Sequence, residues 1–67
     1  MEYSNSRILE IIGEYIHSER DRALMTRRMV DGVTIERLAE EFDISTSQTK
    51  RIIWKNSEII FRHLEKS

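Results

Sequence analysis

Ser45-Thr46-Ser47-Gln48, followed by Lys50, Arg51, Trp54 and Lys55, is the stretch of this 67-residue chain whose side chains converge on one kind of chemistry. Hydroxyls and an amide come first. An ammonium, a guanidinium, an indole and a second ammonium follow. Arginine and lysine pair with guanine edges, glutamine with adenine, and hydroxyls with bases or phosphates. Lys50, Arg51 and Lys55 would add a salt-dependent affinity for phosphates by releasing counterions. These groups act together only if a single element presents them on one side.

Other chemistries find less to work with. No serine stands in a readable triad with a histidine and an acid. Glu40-Glu41 are neighbours on one predicted helix flank, where solvation is the ordinary role of paired acids, and no glycine-rich phosphate loop exists. Catalysis is therefore not expected, and neither is a cofactor. With no cysteine, a disulfide or a cysteine-based zinc site is excluded. His17 and His63 have no ligand spacing between them, so no metal is expected. Met25 and Met29 read as flexible core fillers.

Helices must position the candidate residues. The chain has no proline and only two glycines, Gly13 and Gly32, so few residues interrupt helical hydrogen bonding. Hydrophobic residues at 39% and charged residues at 34% suit a folded domain. The longest apolar runs fall far short of the roughly 20 residues that cross a bilayer. The N-terminus lacks the basic-then-apolar order of a signal peptide. The expectation is a cytoplasmic protein with no membrane contact, in one domain spanning residues 1–67. A domain this small buries only about 60% of its unfolded surface, so its core is thin.

Four helices are predicted. The first covers about residues 6–17, with Ile8, Leu9, Ile11, Ile12, Tyr15 and Ile16 on the inward side. The second covers about 19–30, capped by Ser18 with Asp21 three residues on, as in a capping box. Leu24, Met25, Arg28 and Met29 form its inward face. Asp31-Gly32 stops it, with Gly32 taking the left-handed conformation. The third covers about 35–42, capped by Thr34, with Glu36 placed to suit the helix dipole. The fourth follows Ser45, since Ser45-Thr46-Ser47-Gln48 is a capping box of the serine-x-x-glutamine kind. It reaches about residue 65, and Asn56-Ser57 is the weakest point along it.

The third and fourth helices, with a turn of about three residues between them, have the sequence shape of a helix-turn-helix. Two short helices crossing steeply need a small residue at closest approach, and Ala39 supplies it. Leu38, Phe42, Ile44 and Ile52 seal the crossing. The turn calls for a positive φ, and Asp43 stands where glycine would be cheaper. On a wheel of the fourth helix, Thr49, Ile52, Ile53, Asn56 and Ile60 face inward. Ser47, Lys50, Arg51, Trp54 and Glu58 face outward, with Ser45 and Thr46 at the tip. Charge follows this division: residues 1–44 hold six Lys/Arg against ten Asp/Glu, whereas residues 45–67 hold five against two. A net −1 overall thus conceals a basic C-terminal segment.

Arg22 to Gly32, then Thr34-Ile-Glu-Arg-Leu-Ala-Glu-Glu-Phe42, then Ser45-Thr-Ser-Gln-Thr-Lys50 together resemble region 4 of bacterial sigma factors. The similarity covers roughly residues 20–65, leaving residues 1–18 as an added N-terminal helix and 19–67 as the sigma region 4-like core. DNA-binding domains of LuxR-type response regulators share much of the pattern. The resemblance implies that the second helix of the motif binds a −35 promoter element in the major groove, with Thr46, Ser47, Gln48, Lys50 and Arg51 facing DNA. It implies a contact with the RNA polymerase β-flap as a further expectation. It also implies that Arg28 pairs with Glu36 or Glu40. The sequence departs from the family in lacking the region that binds the −10 element and melts DNA. A stand-alone sigma-like regulator is the form implied, of the sort found on phages and mobile elements of Gram-positive bacteria. Thr49 stands where valine or isoleucine usually packs, which predicts a looser inner contact.

Several points stay open at the level of sequence. Trp54 can pack on a sugar-phosphate backbone or a partner, lie covered by the first helix, or mark a homodimer seam. Phe61 can pack on the first helix or join an exposed patch. The competing function is a protein-interaction adaptor or antisigma-type module that binds polymerase or a phage protein without DNA. A continuous positive surface of Lys50, Arg51 and Lys55 favours DNA; acids of the first two helices surrounding them favour the adaptor.

Overall fold

The computed structural model describes residues 4–65. Residues 1–3 and 66–67, which the sequence reading includes in the domain, lie outside the described residues. The fold is all-α: α1 (Asn5–Tyr15), α2 (Glu19–Met29), α3 (Ile35–Phe42) and α4 (Thr46–Glu65). No helix is long and apolar enough to cross a membrane.

Each helix starts on a side-chain cap. The hydroxyls of Ser4, Ser18, Thr34 and Ser45 accept from the backbone N–H groups of Arg7, Asp21, Arg37 and Gln48, at 3.1–3.3 Å. Such bonds satisfy donors that the helix itself leaves unpaired. The two inner turns are built on left-handed residues. Gly32 has φ +69° after α2, and Asp43 has φ 54° after α3. At Asp43 the chain makes the paired bonds of a Schellman ending: Ile44 N–H donates to the Ala39 carbonyl at 3.0 Å and Asp43 N–H to that of Glu40 at 3.3 Å. This ending stops α3 and redirects the backbone into α4 within three residues. Residues 35–55 are therefore two helices, not one rod.

The core is one cluster. Ile8, Ile11, Ile12 and Ile16 from the α1 segment meet Leu24 and Met25 of α2, Leu38 of α3, and Ile52, Ile53, Ile60 and Leu64 of α4. Met29, Val33, Ile35, Phe42 and Ile44 pack around it. α4 touches all three other helices and forms the spine of the molecule. Its inner residues Thr49, Ile52, Ile53, Asn56 and Ile60 are all buried, as the wheel places them.

The inward stripe of α1 is narrower than the sequence suggests. Leu9 and Tyr15 are exposed at the flanks, and the Tyr15 ring stacks on His63 of α4, centroids 3.5 Å apart. On α2, Arg28 is half-buried, and Asp21 is buried in its place. The cap uses the Asp21 N–H, while the Asp21 carboxylate accepts from Arg20 and Asn56 and not from the Ser18 N–H as a capping box would have it. α4 runs through Asn56-Ser57 as one helix. The Asn56 amide donates to the Ile52 carbonyl one turn back and to Asp21 on α2.

Candidate nucleic-acid interface

The candidate residues sit on the first half of α4 and its cap. Ser45 Oγ is engaged by Gln48 N–H at 3.1 Å, and the Ser45 carbonyl accepts from both the N–H and the hydroxyl of Thr49, at 3.0 and 2.9 Å. Thr49 is wholly buried, so it fills the inner position with its hydroxyl satisfied. With the cap fixed, Thr46, Ser47 and Gln48 stand exposed around the positive end of the α4 dipole.

One and two turns further on, Lys50, Arg51, Trp54 and Lys55 are all exposed. Ser47, Lys50, Arg51 and Trp54 line one shallow depression on the outer face. A hydroxyl from the tip, two cations and an indole are therefore brought together as the wheel predicts. Trp54 is 73% exposed. α1 does not cover it, because α1 packs against the inner side of α4 through Ile8, Ile11 and Ile12.

The residues expected to hold the motif in place are found inside it. Leu38 is fully buried, Ala39 and Ile52 are 7% exposed, and Phe42 and Ile44 are half-buried against the core. Thr34 is exposed and acts through its cap. Arg28 does not pair with an acid of α3. Its guanidinium donates to the Val33 carbonyl at 2.9 Å, bracing the turn between α2 and α3. The interhelical ion pair belongs to its neighbour: Arg27 donates from Nη2 and Nε to Glu41 at 2.7 and 3.1 Å, and from Nη1 to Asp31 at 3.2 Å. One position along a helix rotates a side chain by about 100°, which is what separates the two arginines.

Comparison of the chain with protein-family models, with curated proteins and with solved structures finds no match.

Electrostatically the two halves of the molecule differ. Four of the described acids ahead of α4 are drawn into ion pairs, Glu10 with Arg7, Asp21 with Arg20, Asp31 with Arg27, and Glu41 with Arg27 and Arg37, whereas Glu14, Glu19, Glu36 and Glu40 are in none. Arg27 above all holds the Glu41 carboxyl below its usual range through these hydrogen bonds. Among the described residues, Lys50, Arg51 and Lys55 pair with no acid, and no acid of α1 or α2 lies within ion-pair distance of them. Sequence reasoning missed two features. Arg62 and Glu65 extend the outer face of α4 and, with Trp54, Lys55, Ser57, Glu58 and Phe61, line a second open groove. Their helical spacing from Trp54 was the available signal. The Arg27–Glu41 pair joins residues 14 apart and depends on how α2 sits on α3, for which the sequence offers no local sign.

Proposed function

We propose that this chain is a sequence-specific DNA-binding regulator of transcription whose α4 enters the major groove N-terminus first. It acts as a binding module, without catalysis or cofactor. The observation that carries the proposal is the outer face of α4. Exposed hydroxyls and an amide at a capped tip lead into Lys50, Arg51 and Lys55, which no acid among the described residues neutralises. Hydroxyls and Gln48 suit base edges and nearby phosphates, and the three cations suit guanine or the backbone. Trp54, beside Arg51, presents a flat apolar face for sugar-phosphate packing.

The resemblance to sigma factor region 4 sharpens the proposal. In that form the target is a −35-like promoter element, RNA polymerase is the protein partner, and the setting is the cytoplasm of a bacterium carrying a phage or mobile element. The test is selection of bound duplexes from a random pool, followed by anisotropy titrations at several salt concentrations. Enrichment of one motif is expected, with affinity falling as salt rises. Each cation on a phosphate contributes about −0.9 to the slope of log K against log salt. No enrichment, together with salt-independent binding, sinks the proposal. Capture of RNA polymerase in a parallel pull-down, without any DNA affinity, would instead favour the adaptor.

A further inference from the structure

Trp54, Glu58, Phe61 and Glu65 fall at intervals of four, three and four residues along the outside of α4. That spacing keeps side chains in one straight seam and lets two helices interlock. The aromatic members of the seam are unusual for a solvated face, because Trp54 is 73% and Phe61 48% exposed. Between the two rings lies the open groove lined by Ser57, Glu58, Lys55 and Arg62.

We propose that a second copy of this chain occupies this groove, packing its α4 antiparallel on the first. The charges select the occupant and its direction. With Phe61 of each copy opposite the small Ser57 of the other, each ring drops between the partner's two rings. The same arrangement brings Lys55 beside the partner's Glu65 and Glu58 beside the partner's Arg62. These ion pairs are offset from the ring contact by two residues, about 3 Å along the axis, which long basic side chains span. A parallel pairing instead sets Lys55 on Lys55, Glu58 on Glu58 and Glu65 on Glu65. Like charges then face each other at Lys55, Glu58, Arg62 and Glu65. The antiparallel contact is closed and twofold, as a homodimer requires.

The area sets its strength. The exposed parts of the two rings offer about 200–300 Å² per copy, from about 150–250 Å² for a whole aromatic side chain. Twice that is well below the roughly 1,200 Å² at which stable interfaces begin. The dimer is therefore a weak one that dissociates on dilution. The contact is centred at Ile59-Ile60, more than two turns from Arg51; it takes Trp54 and Lys55 out of the proposed DNA-facing set, which is then the Ser45–Arg51 tip. It stands whether or not that tip binds DNA; if it does, the dimer reads an inverted repeat.

The test uses the chain alone, without DNA, in sedimentation equilibrium from micromolar to millimolar concentration. The mass is expected to climb from one chain towards two. Emission from Trp54, the only tryptophan, should shift to the blue in step. Phe61→Glu should stay monomeric with unchanged far-UV circular dichroism. Lys55→Glu alone should weaken association several-fold, and Lys55→Glu with Glu65→Lys should restore it. A monomer mass at every concentration leaves the groove to some other protein and overturns the proposal. So does a dimer that Phe61→Glu leaves intact, or one that the double charge exchange fails to rescue.

Discussion

The side-chain amide of Asn56 on α4 donates to the Asp21 carboxylate on α2 across 3.3 Å, and both residues are buried. The same nitrogen donates to the Ile52 carbonyl at 2.9 Å. Asp21 also accepts from Arg20 Nε at 3.2 Å. This polar tie sits in an otherwise aliphatic core, where an unmet hydrogen bond is expensive. Asn56→Ala removes the donor and leaves a buried carboxylate short of a partner. The expected loss is about 1–3 kcal/mol, read as a drop of roughly 4–8 °C in thermal midpoint per kcal/mol for a chain of this size. Adding Asp21→Ala should cost less than the two single changes summed. Strict additivity would show that the pair is not coupled.

Asp43 holds the turn between α3 and α4 at φ 54° and ψ 48°. A left-handed conformation costs an L-residue roughly 1–2 kcal/mol, which glycine escapes at a smaller entropic cost. Asp43→Gly is therefore expected to stabilise the domain by about 0.5–1 kcal/mol, visible as a higher urea midpoint. A lower midpoint would mean that the Asp43 side chain contributes more than the strain it imposes.

What the sequence made legible was whatever is written locally. The four helices, the caps at Ser18, Thr34 and Ser45, the left-handed Gly32 and Asp43, and the inner and outer faces of α4 all follow from residues within one or two turns of each other; the Ser4 cap of α1 was missed. The candidate interface was legible for the same reason, since Ser45 to Lys55 lie on a single helix and its cap. The rest depended on how helices sit on one another. Arg27 rather than Arg28 reaches α3, Asp21 meets Asn56 from 35 residues away, and Tyr15 turns aside to stack on His63. A rotation of α2 by one residue would exchange the two arginines, and no local pattern fixes that rotation.

The Arg27–Glu41 pair gives the fold an acid-sensitive brace. Hydrogen bonds from Arg27 chiefly, with a smaller part from Arg37, hold the Glu41 carboxyl below the usual carboxylate range in the folded chain. The unfolded chain therefore takes up this proton first as pH falls. The stabilisation is whole above the unfolded value, about 4.3 for glutamate, and is lost as pH drops through the lower folded value. Urea melts across a pH series should show Glu41→Gln less stable than wild type at neutral pH, with the gap closing below about pH 4. A gap that stays constant into acid would mean that the ionised form of Glu41 is not what the brace uses.

Lys50 and Arg51 lie exposed on the outer face of α4 beside Ser47 and Trp54. Removing both side chains leaves the core untouched, so far-UV circular dichroism and the thermal midpoint should stay near wild type. If the face reads DNA, Lys50→Ala with Arg51→Ala should abolish preference for the selected motif. One good bidentate base contact contributes about 1–3 kcal/mol of discrimination. Where either cation sits on a phosphate, its removal should also flatten the salt dependence, by about 0.9 in slope per cation. Arg7→Ala is the control: Arg7 lies on α1, paired with Glu10, and its removal should leave binding alone. Wild-type affinity in the double variant, measured by gel shift at moderate salt, would place the DNA contact elsewhere or remove it. Equal losses in the double variant and in Arg7→Ala would reduce the effect to overall charge and leave α4 without a reading face.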